Sequence, residues 1–147
     1  MKKLTSFATL LLLAACGSDD SQPVNNITGN LIGKWHVSQV TYNGAVSTWM
    51  PCSYNNSFDF SEDGKCVTEE FLANEYGNCE LAETINKTYT LDGNDLTITH
   101  DNGEYGIETN TGVIQELTSD KLVLSTYMYN HPDELLPYVV TYTKVNN

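Results

Sequence analysis

The sequence predicts an all-β domain, an eight-stranded up-and-down antiparallel barrel, over residues 31–147. Two observations predict it. From Leu31 onward, short runs alternate apolar and polar residues, the period of a half-buried strand rather than a helix. Gly, Asn and Asp pairs cut these runs at short, fairly regular intervals, which is the spacing of a hairpin-joined sheet. Closing such a meander into a barrel removes the sheet edges that would otherwise recruit other chains.

The elements follow in order. The first strand is predicted at 33–42. The second, at 57–61, places Phe58 and Phe60 on one face. Asp63-Gly64 is a tight-turn pair that leads to a third strand at 65–72, and a fourth is predicted at 84–91. Asp92-Gly93-Asn94-Asp95 then reads as a hairpin turn, because Gly and Asn tolerate positive φ. In the fifth strand, 96–100, Leu96 and Ile98 alternate against Thr97 and Thr99. Asp101-Asn102-Gly103 turns the chain into a sixth strand at 104–117, with an interruption expected near Asn110-Thr111-Gly112. Ser119-Asp120 precedes the seventh, 122–129. Residues 130–137 read as a loop before the eighth, 138–144. Helix signals are confined to 45–50 and 69–75, each long enough for one short turn.

The first 15 residues read differently. Lys2 and Lys3 make a short positive segment, 4–13 is apolar apart from Thr5, Ser6 and Thr9, and Ala14-Ala15-Cys16 follow. A span of ~20 apolar residues is needed to cross a bilayer, so this stretch reads as a secretory signal. Leu13-Ala14-Ala15-Cys16 resembles a lipobox. That resemblance implies diacylglycerol on the Cys16 thiol, cleavage before it, and a membrane anchor of two or three acyl chains. Gly17-Ser18-Asp19-Asp20-Ser21 looks like the short Ser/Asp-rich signal that directs some Gram-negative lipoproteins to the cell surface. The expected location is therefore the outer membrane, exposed to the medium; the alternative is a periplasm-facing anchor. Residues 16–30, rich in Gly, Ser, Asn and Asp, read as a flexible tether with a reach of ~20 Å.

Five of the seven basic residues and all 19 acidic ones lie beyond residue 15, and none of the basic residues is arginine. The resulting formal charge of −14 repels phosphate backbones, so nucleic acid is a poor partner. Cys52, Cys66 and Cys79 allow three single pairings in an oxidising compartment. Cys52 and Cys79 sit in loop-like surroundings and Cys66 in a strand-like run, which favours Cys52–Cys79 with Cys66 as a buried side chain. No metal is expected: His36, His100 and His131 are scattered, and no ligand-spaced Cys or His pair occurs. Asp92-Gly93-Asn94-Asp95 lacks the spacing of a calcium loop. No cofactor is expected.

Gly33-Lys34-Trp35 opens the first strand. Phe58-Asp59-Phe60 with Asp63-Gly64 follows, then Tyr89-Thr90-Leu91-Asp92-Gly93-Asn94-Asp95-Leu96-Thr97-Ile98, Ile114-Gln115-Glu116-Leu117-Thr118 and Leu122-Val123-Leu124. In order and spacing these resemble the short lipocalin-like domain of many bacterial lipoproteins, over about residues 31–144. The resemblance implies that Gly33 lets the chain bend into the barrel and that Trp35 plugs one end. The main lipocalin family also carries a late arginine packed on that tryptophan and a Thr-Asp-Tyr motif. Both are missing here, so the likeness is to the divergent bacterial group.

An eight-stranded barrel is either filled by its own side chains or holds one small ligand. The expected lining is Trp35, Phe58, Phe60, Tyr89, Leu91, Ile98, Leu122 and Leu124. The leading expectation is a non-enzymatic accessory lipoprotein that binds a small apolar molecule, with Trp35→Ala displacing it. The alternative is a surface module for glycan or protein, using Tyr127, Tyr129, Tyr138 and Tyr142. No nucleophile elbow, zinc-protease motif or phosphate loop suggests an enzyme.

Overall fold

The computed structural model describes residues 25–47, 51–130 and 134–145. The stretch read as a secretory signal and Cys16 lie outside the described residues, as does His131.

A short helix α1 (Asn25–Leu31) leads into β1 (Gly33–Tyr42), β2 (Ala45–Val46), β3 (Ser57–Phe60), β4 (Lys65–Ala73) and β5 (Cys79–Asp92). Then come β6 (Asp95–Asp101), β7 (Ile107–Leu117), β8 (Lys121–Asn130) and β9 (Glu134–Lys144). All pairings are antiparallel between neighbours, and β1 also pairs with β9 from Trp35↔Lys144 to Tyr42↔Tyr138. The sheet therefore closes on itself. Eight strands make the barrel, and β2 only folds back on the end of β1 through Thr41↔Val46 and Tyr42↔Ala45.

The strand pairing defines two ends. At one, here the closed end, lie α1, Gly33 and the tight turns after Phe60, Asp92 and Leu117. At the other lie the β1–β3, β4–β5 and β6–β7 connections. Cys52, in a 3-10 turn over Pro51–Asn55, is disulfide-bonded to Cys79 at the start of β5. This pins the β1–β3 connection onto the β4–β5 hairpin at the open end.

Three bulges interrupt the ladders, and two of them bring apolar residues inward. In β1 the register shifts between Val37 and Gln39, so Trp35, Val37 and Val40 all reach the core although their spacing is not strictly two. In β7 the shift lies between Ile114 and Glu116, which lets both Ile114 and Leu117 face inward opposite Leu124 and Leu122. The interruption expected near Asn110-Thr111-Gly112 is absent; the strand continues there and bulges farther on, at Gln115. The third shift, between Glu70 and Phe71, lies high on the β4–β5 hairpin.

Several boundaries differ from expectation. Residues 25–30, read as tether, form most of α1. Its sequence has poor helix propensity, and tertiary contacts at its end hold it: Leu31 is fully buried and its carbonyl accepts from Trp35 Nε1 at 2.7 Å. β5 begins five residues before the expected 84, because the β4 edge offers partners as far as Ala73↔Cys79. β7 begins at Ile107 rather than 104, since Gly103 and Gly106, with φ of 61° and 85°, wind Gly103–Tyr105 into a 3-10 turn. β9 begins at Glu134, within the expected loop, and accommodates Pro137 opposite Tyr127. Neither suggested helical turn forms among the described residues: Ala45–Val46 is extended, and β4 runs through 69–73.

Two seams interrupt the upper wall. The β5–β6 ladder stops at Thr88↔Thr99, and the β7–β8 ladder stops at Val113↔Ser125. Above these points the β6–β7 hairpin is paired only within itself, apart from single bonds such as Thr126 Oγ1 to the Thr111 carbonyl at 3.2 Å.

Candidate functional site

Inward-facing side chains sort by depth. The lower layer is solid. Trp35, Phe60, Leu122 and Leu31 are each no more than 1% exposed. Phe60 meets Tyr89 edge-on, with centroids 5.1 Å apart and planes at 87°, and the Tyr89 hydroxyl donates to the Ser61 carbonyl at 2.9 Å. Gly33, at φ 115°, brings the backbone under Lys144; a Cβ there would stand 3.0 Å from Lys144 Cε. Only glycine combines that dihedral with that approach. Cys66, also in this layer and 1% exposed, has its thiol pushed up to about 12 by burial. It is inert rather than reactive.

Above this plug the packing opens into a cavity of about 260 Å³. Its walls are Phe58, Leu96, Ile98, Leu124, Val140 and Tyr142, and its rim is Asn110, Thr111, Gly112, Thr126, Tyr127 and Tyr138. Phe58 joins the two layers: it stacks on Phe60 at 5.9 Å and meets Tyr142 edge-on at 5.6 Å. The rim lies along the β7–β8 seam, where the loss of strand pairing leaves a lateral way in. Gly112, opposite Leu96, adds no side chain to that wall.

The electrostatics separate interior from lip. Burial raises the Tyr142 phenol well above its ordinary value of 10, and raises Tyr138 in the same direction. Both stay protonated at neutral pH. At the lip Asn110 donates to Glu108 at 2.9 Å, and hydrogen bonds from Asn110 and Asn102 hold that carboxyl below its ordinary value. A second hollow of similar volume lies in the β5–β6 seam, lined by Lys65, Asn86, Lys87, Thr88, Thr99, Asp101 and Ile107. Six of its seven lining residues are polar or charged, unlike the apolar wall of the first cavity.

Of the eight residues expected to line a ligand space, Phe58, Ile98 and Leu124 do so. Trp35, Phe60, Tyr89 and Leu122 are buried below it in the plug, and Leu91 packs partly buried against them. Trp35, whose change to alanine was expected to displace a ligand, is not among the residues that line the cavity. Leu96, Val140, Tyr138 and Tyr142 were not anticipated as lining. The alternation Tyr138-Val139-Val140-Thr141-Tyr142 carried the signal for the last three. Tyr138 and Tyr142, read as surface aromatics, share the inward face of β9 with the buried Val140, which lies two residues from each. Tyr127 is 67% exposed at the rim; the Tyr129 side chain lies outside the described residues. The Cys52–Cys79 pairing is as expected.

Residues 31–124 match the family model described as lipocalin-like domain. The fold is similar to that of a lipocalin-like protein from Bacteroides uniformis, at 18% identity and TM-score 0.54, over 80% of this chain and 100% of that one. It is also similar to an uncharacterized protein from Bacteroides eggerthii, at 19% identity and TM-score 0.51, over 78% of this chain and 98% of that one. A weaker likeness, at 14% identity and TM-score 0.48 over 82% of this chain and 73% of that one, is to bovine odorant binding protein in complex with a selenium-containing odorant. No curated protein sequence matches the chain.

Proposed function

The chain belongs to the lipocalin-like domain family, and from that premise we propose that it is an envelope lipoprotein that binds one small apolar molecule inside its barrel and does no chemistry on it. The observation that carries this reading is the apolar cavity of about 260 Å³ above a solid plug. Apolar cavities of ~150 Å³ already take up benzene, so this one suits a somewhat larger ring system. Its wall and rim include no acid, histidine, lysine or cysteine, so it holds none of the usual nucleophile and base pairs. The test is a neutral apolar fluorophore such as N-phenyl-1-naphthylamine. Saturable binding to the wild type, lost in Leu124→Trp, which fills the cavity, is the expected result. Equal or absent binding by both overturns the reading.

Anchoring through a diacylated Cys16 at the outer membrane is part of the proposal, supported by the lipobox-like 13–16 and the Ser/Asp run that follows. Mass spectrometry of the mature protein should find the acylated cysteine as its first residue. Proteolysis of intact cells should digest the domain if it faces the medium and spare it if it faces the periplasm.

A second reading, glycan or protein recognition at the surface, draws on Tyr76, Tyr105 and Tyr127, which are 80%, 94% and 67% exposed around the open end. A glycan array that binds wild type but not Tyr127→Ala favours it; equal or absent signals remove it.

A further inference from the structure

We infer that the molecule held in the cavity is neutral and carries one hydrogen-bond-accepting oxygen, which the Tyr142 hydroxyl receives at the inner end. This rests on the cavity reading above and narrows it to a ligand class: small cyclic ketones, esters and ethers rather than hydrocarbons or carboxylic acids.

Tyr142 is 6% exposed and forms part of the cavity wall, its ring fixed edge-on against Phe58. Among the described residues its hydroxyl has no hydrogen-bond partner. The other well-packed tyrosines differ. Tyr54 donates to the Ser47 carbonyl at 2.8 Å and Tyr89 to the Ser61 carbonyl at 2.9 Å. The oxygen is not sealed in the core, as the unpartnered Ser47 and Thr68 hydroxyls are, so it is open to whatever fills the cavity, and an acceptor there gives it the partner the protein does not. With its proton held by burial, the phenol offers a donor, so the complementary ligand group is an acceptor. Tyr138, on the same face of β9 four residues nearer the open end, offers a second donor beside the rim.

Charge selects against anions. No cationic side chain lines the cavity, so a carboxylate inside it would be desolvated without compensation. At the lip the acceptor of Asn110 is the Glu108 carboxylate, and the whole chain carries a formal charge of −12.

Three compounds on one ring system test the inference: 2-acetylnaphthalene, 2-ethylnaphthalene and 2-naphthoate, each competed against the fluorophore on the mature protein. The ketone is expected to bind tighter than the hydrocarbon by roughly five- to ten-fold, the worth of one net hydrogen bond, with naphthoate weakest. Tyr142→Phe should abolish the ketone's preference over the hydrocarbon, while Val46→Ala, on the exposed β2, should keep it. Equal affinity of ketone and hydrocarbon in the wild type, or naphthoate binding tightest, overturns the ligand class and leaves the cavity reading standing. Binding of none of the three, nor of the fluorophore, overturns both.

Discussion

The Lys144 ammonium stands 5.0 Å from the centre of the Trp35 ring. It also donates to the Asn30 carbonyl at 3.0 Å, so one side chain ties the end of β9 to the plug and to α1. Where the main lipocalin family carries a late arginine on its tryptophan, this chain, which has no arginine, sets Lys144. Lys144→Ala should cost about 1–2 kcal/mol in urea unfolding, the range of a partly desolvated cation–π contact. Trp35→Ala, which empties the plug, should cost about 3–5 kcal/mol. Lys144→Arg should lose less than the alanine change.

The Cys52–Cys79 bridge closes 27 residues of chain. On the chain-entropy model its removal in a Cys52→Ser, Cys79→Ser double variant should lower stability by about 3.5 kcal/mol. Wild-type protein unfolded in reductant should match the variant, and the variant itself should not respond to reductant.

Lys34 Nζ lies 2.7 Å from Glu69 Oε2, and the Ser57 hydroxyl donates to the same oxygen at 2.9 Å. The Lys34 and Ser57 bonds lower the Glu69 carboxyl below its ordinary 4.5. A carboxyl lowered in the folded state adds stability above its unfolded value, and that stability is lost as pH falls through the folded value. Melting temperature should therefore fall less steeply below about pH 4.5 in Glu69→Gln than in wild type, with the two curves running parallel above it. Both side chains are about a third exposed, so the effect is small and shrinks with added salt.

Cys66, its thiol raised to about 12 inside the plug, should not react with an alkylating thiol reagent at about pH 8 in the folded protein, since the thiolate is the nucleophile. In denaturant without reductant it should label fully. Labelling of the folded protein at the rate of a free thiol would contradict the packing around Phe60.

The barrel was legible in the sequence because its evidence is local. Alternation such as Leu96-Thr97-Ile98-Thr99 and turns such as Asp92-Gly93-Asn94-Asp95 depend on near neighbours. Features fixed by distant partners were not legible. α1 exists because Trp35 and Lys144 bind its last carbonyls, and no residue within Asn25–Leu31 announces it. The bulges in β1 and β7 move residues between faces, so a strict two-residue count misplaces Val40 and Leu117. The site was half legible for the same reason. Alternation reveals that Trp35 and Phe58 both point inward, but not that one lies beneath the cavity and the other in its wall. Depth along the axis depends on how strands are staggered around the closed sheet.

The described chain enters the barrel beside Trp35 and leaves it there too, where the Val145 amide donates to the Lys34 carbonyl at 2.8 Å. Both ends of the described chain therefore lie at the stoppered pole, while the way into the cavity opens higher up, through the β7–β8 seam. Under the anchoring at residue 16 proposed above, the domain would keep that seam clear of its own attachment. A reporter fused after residue 147 should likewise leave uptake undisturbed.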